Sequence, residues 1–285
     1  MTQQTVHFIY DPCKQPDADF AADLIAVLGQ APAHSAQNIV TIGGDGTLLH
    51  ALHHAQGKRV LGLVPPGSNS RGFWTNRNID NPAALCTVLT AARSYPIKPL
   101  QVDITFADGT TTMRQAYNDV SIRPVAQAAS AGLKASYNLP AEDISIQSAL
   151  LNLRVEFAKA VLGPHRIMGG GLVFATPLGS TAMNKSYGGP SADIRNEVIV
   201  MTGIGISEPP GGFNSVVNRD DTRFTIEVLS REKRPVIISF DSFGLIANAA
   251  GSPVSSIKIH AAQSGAVNLV LTDDPGTRAY SSMAP

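Results

Sequence analysis

The 285-residue chain is poor in cysteine, in charge and in long apolar runs. Its two cysteines, Cys13 and Cys86, stand far apart and offer no metal-ligand spacing, and such sparse thiols fit a reducing cytoplasm. Charged residues make up only 15 %, and Lys+Arg and Asp+Glu both number 22, so no net positive field draws the chain to nucleic acid or to an anionic membrane. No apolar stretch is long enough to cross a bilayer. The start, Met1-Thr2-Gln3-Gln4-Thr5, lacks the basic region and apolar core of a secretory leader. There is no Gly-x-x-x-x-Gly-Lys-[Ser/Thr] loop and no early Gly-x-Gly-x-x-Gly, which disfavours a Walker-type NTPase and a Rossmann dehydrogenase. Repeats and low-complexity tracts are absent as well.

What the chain does have is glycine at punctuating positions. The length allows about two domains. Val6–Tyr10, Asn38–Ile42 and Lys58–Val64 read as strands of a parallel sheet, with helices over Asp17–Leu28 and Leu48–Gln56 between them. The second strand runs straight into Gly43-Gly44-Asp45-Gly46-Thr47. A glycine turn between strand and helix leaves backbone N–H groups free for an anion. Asp45 inside that turn does not bind phosphate directly, so it reads as a general base or a group acting through Mg²⁺. The third strand feeds Pro65–Phe73, a loop expected at the same sheet edge, where open α/β sheets bind ligands. His50 and His54 are four apart on the second helix but lack the intervening Glu of a zincin. Asp80 or Asn81 can cap a helix opening with Pro82.

From about residue 97 the pattern alternates with period two. Leu100–Phe106 and the arm after Asp108-Gly109 read as a hairpin. Further strands are expected around Ala116–Arg123, Leu133–Tyr137, Leu151–Phe157, Leu172–Ala175, Glu197–Met201, Thr222–Leu229, Pro235–Phe240, Ile257–His260 and Ala266–Leu271. The architecture implied is an α/β N-terminal domain with a parallel sheet over residues 1–97, a mostly β domain over 98–271, and a tail, 272–285, that can pack back on the first domain. Thr176–Thr181 turns into a short helix, Ala182–Tyr187, so Ser180, Thr181 and free N–H groups gather at one point. Two glycine turns, two aspartates (Asp45 and Asp119) and hydrogen-bonding Asn118 and Thr181 together read as phosphoryl-transfer chemistry.

Three motifs in order resemble those of NAD kinases, within the superfamily of NAD kinases, diacylglycerol kinases and phosphofructokinases. They are Gly43-Gly44-Asp45-Gly46-Thr47, Tyr117-Asn118-Asp119-Val120, and Gly171–Ala182 continuing to Gly188-Gly189-Pro190. The resemblance implies Mg²⁺-dependent transfer of a phosphoryl group from ATP or polyphosphate to the adenosine ribose 2′-hydroxyl of NAD, giving NADP. It implies Asp45 as the base or the group that positions that hydroxyl. Gly43, Gly44, Gly46 and Thr47 would receive phosphates. Asn118 and Asp119 would hold the dinucleotide. Thr176, Gly179, Ser180, Thr181, Ala182 and Ser186 would receive the adenine end and its ribose. The Mg²⁺ ligands stay open between nucleotide phosphates and Asp45 or Asp119. Sparse surface lysine and the resemblance both lead to an expected homo-oligomer, a dimer or tetramer, with small-molecule nucleotides as its other partners. The chain departs from the family pattern at Gly170, where an Asp is usual, at Met183, where a Tyr is common, at Met168 and at Tyr187. Pro66-Gly67-Ser68-Asn69 is closer to the loop of lipid kinases. A related kinase acting on another hydroxyl, nucleoside-like or lipid-like, is therefore the alternative.

Overall fold

The computed structural model describes residues 4–55, 57–70, 72–125, 148–210, 212–241 and 243–276. The expected strand at Leu133–Tyr137 lies outside them. The chain forms two compact units: Met1–Lys98 with Asp193–Arg195 and Gln263–Pro285, and Pro99–Ala192 with Asn196–Ala262.

The first unit alternates β1 (Val6–Tyr10), α1 (Gln15–Leu28), β2 (Asn38–Ile42), α2 (Asp45–Leu52), β3 (Arg59–Leu63), α3 (Pro82–Ala91) and β4 (Arg93–Ile97). β1, β2 and β3 pair in parallel, with Val40 opposite both Phe8 and Leu61. All five residues of β2 are buried, as expected of a central parallel strand covered on both faces. Phe20, Ala21 and Leu24 of α1 and Leu85 and Leu89 of α3 pack on this sheet. Gly29, at φ 75°, stops α1 and donates its N–H to the Ile25 carbonyl. Asn81 caps α3, its side chain accepting the Ala84 N–H at 2.9 Å, and Pro82 follows where its missing donor costs nothing.

The second unit carries β5 (Leu100–Phe106), β6 (Thr111–Ala116), β7 (Asp119–Pro124), β8 (Ala149–Phe157), β9 (Ala160–Gly169), β10 (Gly171–Ala175), a 3₁₀ turn (Gly179–Thr181), α4 (Met183–Ser186), β11 (Val198–Ile204), β12 (Ser215–Arg219), β13 (Arg223–Val228), β14 (Val236–Phe240), β15 (Phe243–Leu245) and β16 (Val254–Ala261). Two six-stranded sheets result, ordered β12-β11-β10-β7-β14-β15 and β6-β5-β16-β13-β8-β9. Their apolar faces share one core, in which Phe174 and Phe224 meet with ring centroids 4.9 Å apart. No helix among the described residues is long and apolar enough to cross a membrane.

The last strand, β17 (Val267–Leu271), corrects the expected range of the β-rich domain. It pairs in parallel with β3 and antiparallel with β4, and so completes the first unit's sheet, order β1-β2-β3-β17-β4. Local alternation identifies such a segment as a strand but does not say which sheet receives it. Asn76, buried to 1 % exposure, secures this junction. Its Nδ2 donates to the Gly62 carbonyl at 2.9 Å, and its Oδ1 accepts from the Thr272 N–H and hydroxyl at 3.1 and 2.9 Å. Asn76→Leu removes both functions, while the Gly62 carbonyl keeps the residue 76 main-chain N–H at 2.7 Å and exposed Thr272 can turn to water. It should cost about 0.5–1.5 kcal/mol per lost hydrogen bond, read as a lower denaturation midpoint at unchanged m-value.

Candidate functional site

In the first unit the turn after β2 and the loop after β3 line one cleft of about 720 Å³. It opens at the C-terminal ends of parallel strands, and its wall includes Gly43, Gly44, Gly46, Thr47, Lys14 and Ser70. Gly44 caps α2, so Asp45 is the helix's first residue. Gly43 takes φ 140°, and a Cβ there would meet Thr47 Oγ1. The N–H groups of Gly44, Asp45 and Gly46 have no partner among the described residues, whereas Gly43 donates to the Leu63 carbonyl at 2.8 Å. Three unpartnered donors at a helix start form an anion nest, with the helix dipole adding to it.

Asp45 faces the loop after β3. Its two carboxylate oxygens accept the main-chain N–H groups of Phe73 at 2.7 Å and Trp74 at 2.8 Å. The carboxylate therefore fixes the end of the Pro65–Phe73 loop against the glycine turn, and each oxygen retains lone-pair capacity for a further donor. Trp74 is buried and packs edge-on against Phe73. His50 and His54 make an edge contact, ring centroids 5.1 Å apart. No group of three or more His, Cys, Asp or Glu side chains among the described residues is placed to hold a metal. Sequence reasoning passed over Asp17. It lies in the first turn of α1, lines the cleft and is buried; burial pushes its carboxyl up, Lys14 opposes this and Asp11 adds to it.

In the second unit the Asn118-Asp119 motif and the Thr176–Ala182 turn meet side by side. The Thr176 N–H donates to the Asn118 carbonyl at 2.9 Å, and the Thr176 hydroxyl donates to the Tyr117 carbonyl at 2.5 Å. Gly179 passes so close to the Asn118 carbonyl that a Cβ would overlap it. Thr176 and Ser180 are among the residues expected at the adenine end and its ribose. Both side chains are buried, and the turn uses their oxygens: Thr176 Oγ1 also accepts the Gly179 N–H, while Ser180 Oγ donates to Pro177 and accepts the Ala192 N–H at 2.8 Å. Asn118 and Thr181 are half-buried, and Ala182 and Ser186 are exposed. Ser186 caps its own short helix through the Met183 carbonyl at 3.0 Å. Asn184, which no motif singled out, binds the Ser180 and Pro190 carbonyls and accepts the Thr202 hydroxyl at 2.6 Å.

Asp119 is buried, and its carboxyl is pushed up to about 7, chiefly by burial and then by Asp241, with Arg123 and the Met183 N–H acting against the rise. What departs from the family pattern at Met183 is its side chain. At Gly170 the N–H donates to the Ile204 carbonyl at 2.7 Å, a bond made by the main chain alone. Asp241 was missed entirely. At φ 52° it turns its carboxylate under the start of β7 and accepts the N–H groups of Tyr117, Asn118 and Asp119 at 2.9, 2.8 and 3.3 Å. The only local hint was an Asp just after an apolar strand, a position that also suits an ordinary turn.

A carboxyl raised in the folded state favours folding while protonated. That contribution is present below the unfolded value near 3.8 and is lost as pH rises through about 7. The thermal midpoint of the wild type should therefore fall from pH 5 to 8, with a shallower fall in Asp119→Asn. Equal slopes in the two proteins would rule out Asp119 as the source.

No protein-family model matches the chain. Curated relatives do. The NAD kinase of Rhizobium meliloti (strain 1021) is 30 % identical over 232 residues, covering 80 % of this chain and 79 % of its own. The NAD kinase of Xanthomonas campestris pv. campestris (strain 8004) is 29 % identical over 240 residues, covering 83 % and 82 %. Among solved structures, yeast NADH kinase complexed with NADH superposes with a TM-score of 0.75 at 17 % identity, covering 98 % of this chain and 86 % of its own. An NAD kinase from Archaeoglobus fulgidus in complex with ATP gives 0.65 at 17 % identity, covering 97 % of each. At that identity the two structures speak for a shared fold.

Proposed function

Because this chain belongs to the NAD kinase family, and is thus a phosphotransferase of the NAD kinase and diacylglycerol kinase superfamily, we propose that it phosphorylates the adenosine ribose 2′-hydroxyl of NAD. ATP is the donor in this reading, polyphosphate the alternative donor, and NADP the product. The observation that carries the reading is the anion nest of Gly44, Asp45 and Gly46 at the wall of the cleft, on the same turn that carries the Asp45 carboxylate. Phosphoryl transfer needs little covalent help from a protein. It needs phosphates held in line, charge stabilised and a hydroxyl oriented.

Each part has a candidate. The three N–H groups receive phosphate oxygens and hold them without side-chain reorganisation. Asp45 accepts the proton of the attacking hydroxyl, or aligns it, with the lone pairs that Phe73 and Trp74 leave free. Mg²⁺, when bound with the donor, supplies neutralisation of the phosphate charge. In the second unit Asn118 offers an amide to the dinucleotide, and Thr181 and Ser186 offer hydroxyls to its adenine end. Asp119 is the acidic partner in that set. With a carboxyl near 7 it can donate a hydrogen bond when protonated and accept one when ionised.

The second reading, a different hydroxyl acceptor, draws on Met183, a flexible thioether where the family commonly has a Tyr. The deciding experiment offers ATP and Mg²⁺ with NAD, NADH, adenosine, free nucleotides or diacylglycerol, and identifies the product by mass. NADP from NAD at micromolar to millimolar concentration is expected. Product from another acceptor alone would overturn the NAD assignment and retain the kinase. Asp45→Asn should lower kcat by about 10²–10⁴-fold while the KM for ATP changes little. A rate close to wild type in that variant would remove Asp45 from the chemistry.

A further inference from the structure

Asp17 is a carboxylate without a partner in a place that discourages one. It is 6 % exposed, yet its oxygens accept no hydrogen bond from any described residue. It forms part of the cleft wall. Its Oδ2 lies 3.3 Å from the point that a Cβ on Gly43 would occupy, and Thr47 Oγ1 lies 2.6 Å from that same point. Two oxygens thus flank a small space that stays open because residue 43 is glycine. The anion nest begins at the next residue.

The surrounding charges make this arrangement costly for a protein that binds phosphate. Asp11, Asp17 and Asp45 contribute three carboxylates around the turn, and Asp11 and Asp17 line the cleft. Lys14 is the ammonium opposing them. It is 64 % exposed and lies 3.8 Å from Asp11. His50 stands at the rim. A polyphosphate drawn onto the nest would meet Asp17 as a like charge in a partly desolvated site, where such repulsion is strong. A hard cation between them reverses the sign of that interaction. Mg²⁺ is characteristically held by one or two carboxylates together with phosphate oxygens and water, and the donors here are oxygens throughout.

We propose that Asp17, with the Thr47 hydroxyl as a second oxygen donor, is the protein's ligand for the divalent cation that accompanies the phosphoryl donor. The inference rests on the reading of the nest as the donor's phosphate site. It does not depend on the acceptor. It accounts together for the buried carboxylate without a partner, the space at Gly43 and the nearness of both to the N–H groups.

The test uses Mn²⁺ as the probe, bound to the full chain with a non-hydrolysable ATP analogue and read by electron paramagnetic resonance of the free ion. In Asp17→Asn the Mn²⁺ affinity in the presence of analogue should fall at least about tenfold, the loss typical of a perturbed metal site. Analogue affinity without metal should be unchanged or higher, since a repelling charge is gone. Thr47→Val should shift Mn²⁺ affinity in the same direction by a smaller factor. Removing a buried charge without a partner should also raise the thermal midpoint of Asp17→Asn, so a folded variant is expected. Unchanged Mn²⁺ affinity in both variants overturns the assignment. So does an equal loss of analogue affinity with and without metal, which would mark Asp17 as a shaper of the turn. Failure of the wild type to bind the analogue at all overturns the donor-site reading as well, and that result is distinct from unchanged Mn²⁺ affinity.

Discussion

The cleft of the first unit depends on one carboxylate holding two main-chain N–H groups. Asp45 reaches from the start of α2 to Phe73 and Trp74 and holds the loop after β3 against the turn after β2. Such charge-assisted bonds are stronger than neutral ones, and two of them on one carboxylate fix direction as well as distance. The same contact brings Ser70 over Gly44, where its hydroxyl occupies the space a side chain would need. A single aspartate therefore ties together the two segments that wall the cleft and keeps lone-pair capacity for a further donor.

The second unit uses the same device with a different residue. Asp241 sits in a left-handed conformation that is unfavourable for a non-glycine side chain, and its carboxylate gathers three successive N–H groups at the start of β7. Those N–H groups belong to Tyr117, Asn118 and Asp119, the motif expected to face the dinucleotide. The backbone of that motif is thus held from beneath, while Thr176 and Gly179 hold it from the side. Ser180 and Asn184 then tie the following turn to Ala192 and Thr202. Buried polar groups with all their partners met specify one arrangement, which a functional turn requires.

This division explains what could be read from the sequence. The parallel strands β1, β2 and β3 announced themselves by short apolar runs ending in glycine or proline, and the hairpin β5–β6 by alternation around Asp108-Gly109, whereas β4, mostly exposed and interrupted by Pro96, did not. The glycine turn at 43–47 was visible because strand, turn and helix are contiguous. Other elements were hidden for specific reasons. β9 is almost entirely exposed along Ala160–Arg166, so it carries no buried face to give a period of two, and β12 is an edge strand of mixed character. The pairing of β17 with β3 joins residues some two hundred positions apart. Asp241 and Asn76 act on main-chain groups distant in sequence, and an isolated Asp or Asn has no pattern that reveals this. Thr176 and Ser180 were legible as members of a motif, but sequence alone could not separate hydroxyls that face a ligand from hydroxyls that build the turn presenting one.

The three glycines of the first turn make the same distinction within five residues. Gly43 is required by its positive φ and by the oxygens beside it, and Gly44 by the Ser70 hydroxyl. Gly46 is different. It is exposed, and a Cβ added there would meet nothing within 4 Å. As the second residue of α2 it would, on helix propensity alone, be better replaced by alanine, by about 1 kcal/mol. Neither backbone strain nor packing within the protein calls for glycine at that position. Gly46 is one of the residues lining the cleft, and its N–H has no partner among the described residues. The absence of a side chain at residue 46 therefore makes physical sense as room for something that approaches the backbone closely from outside the chain, as a phosphate must when it is held by N–H groups alone.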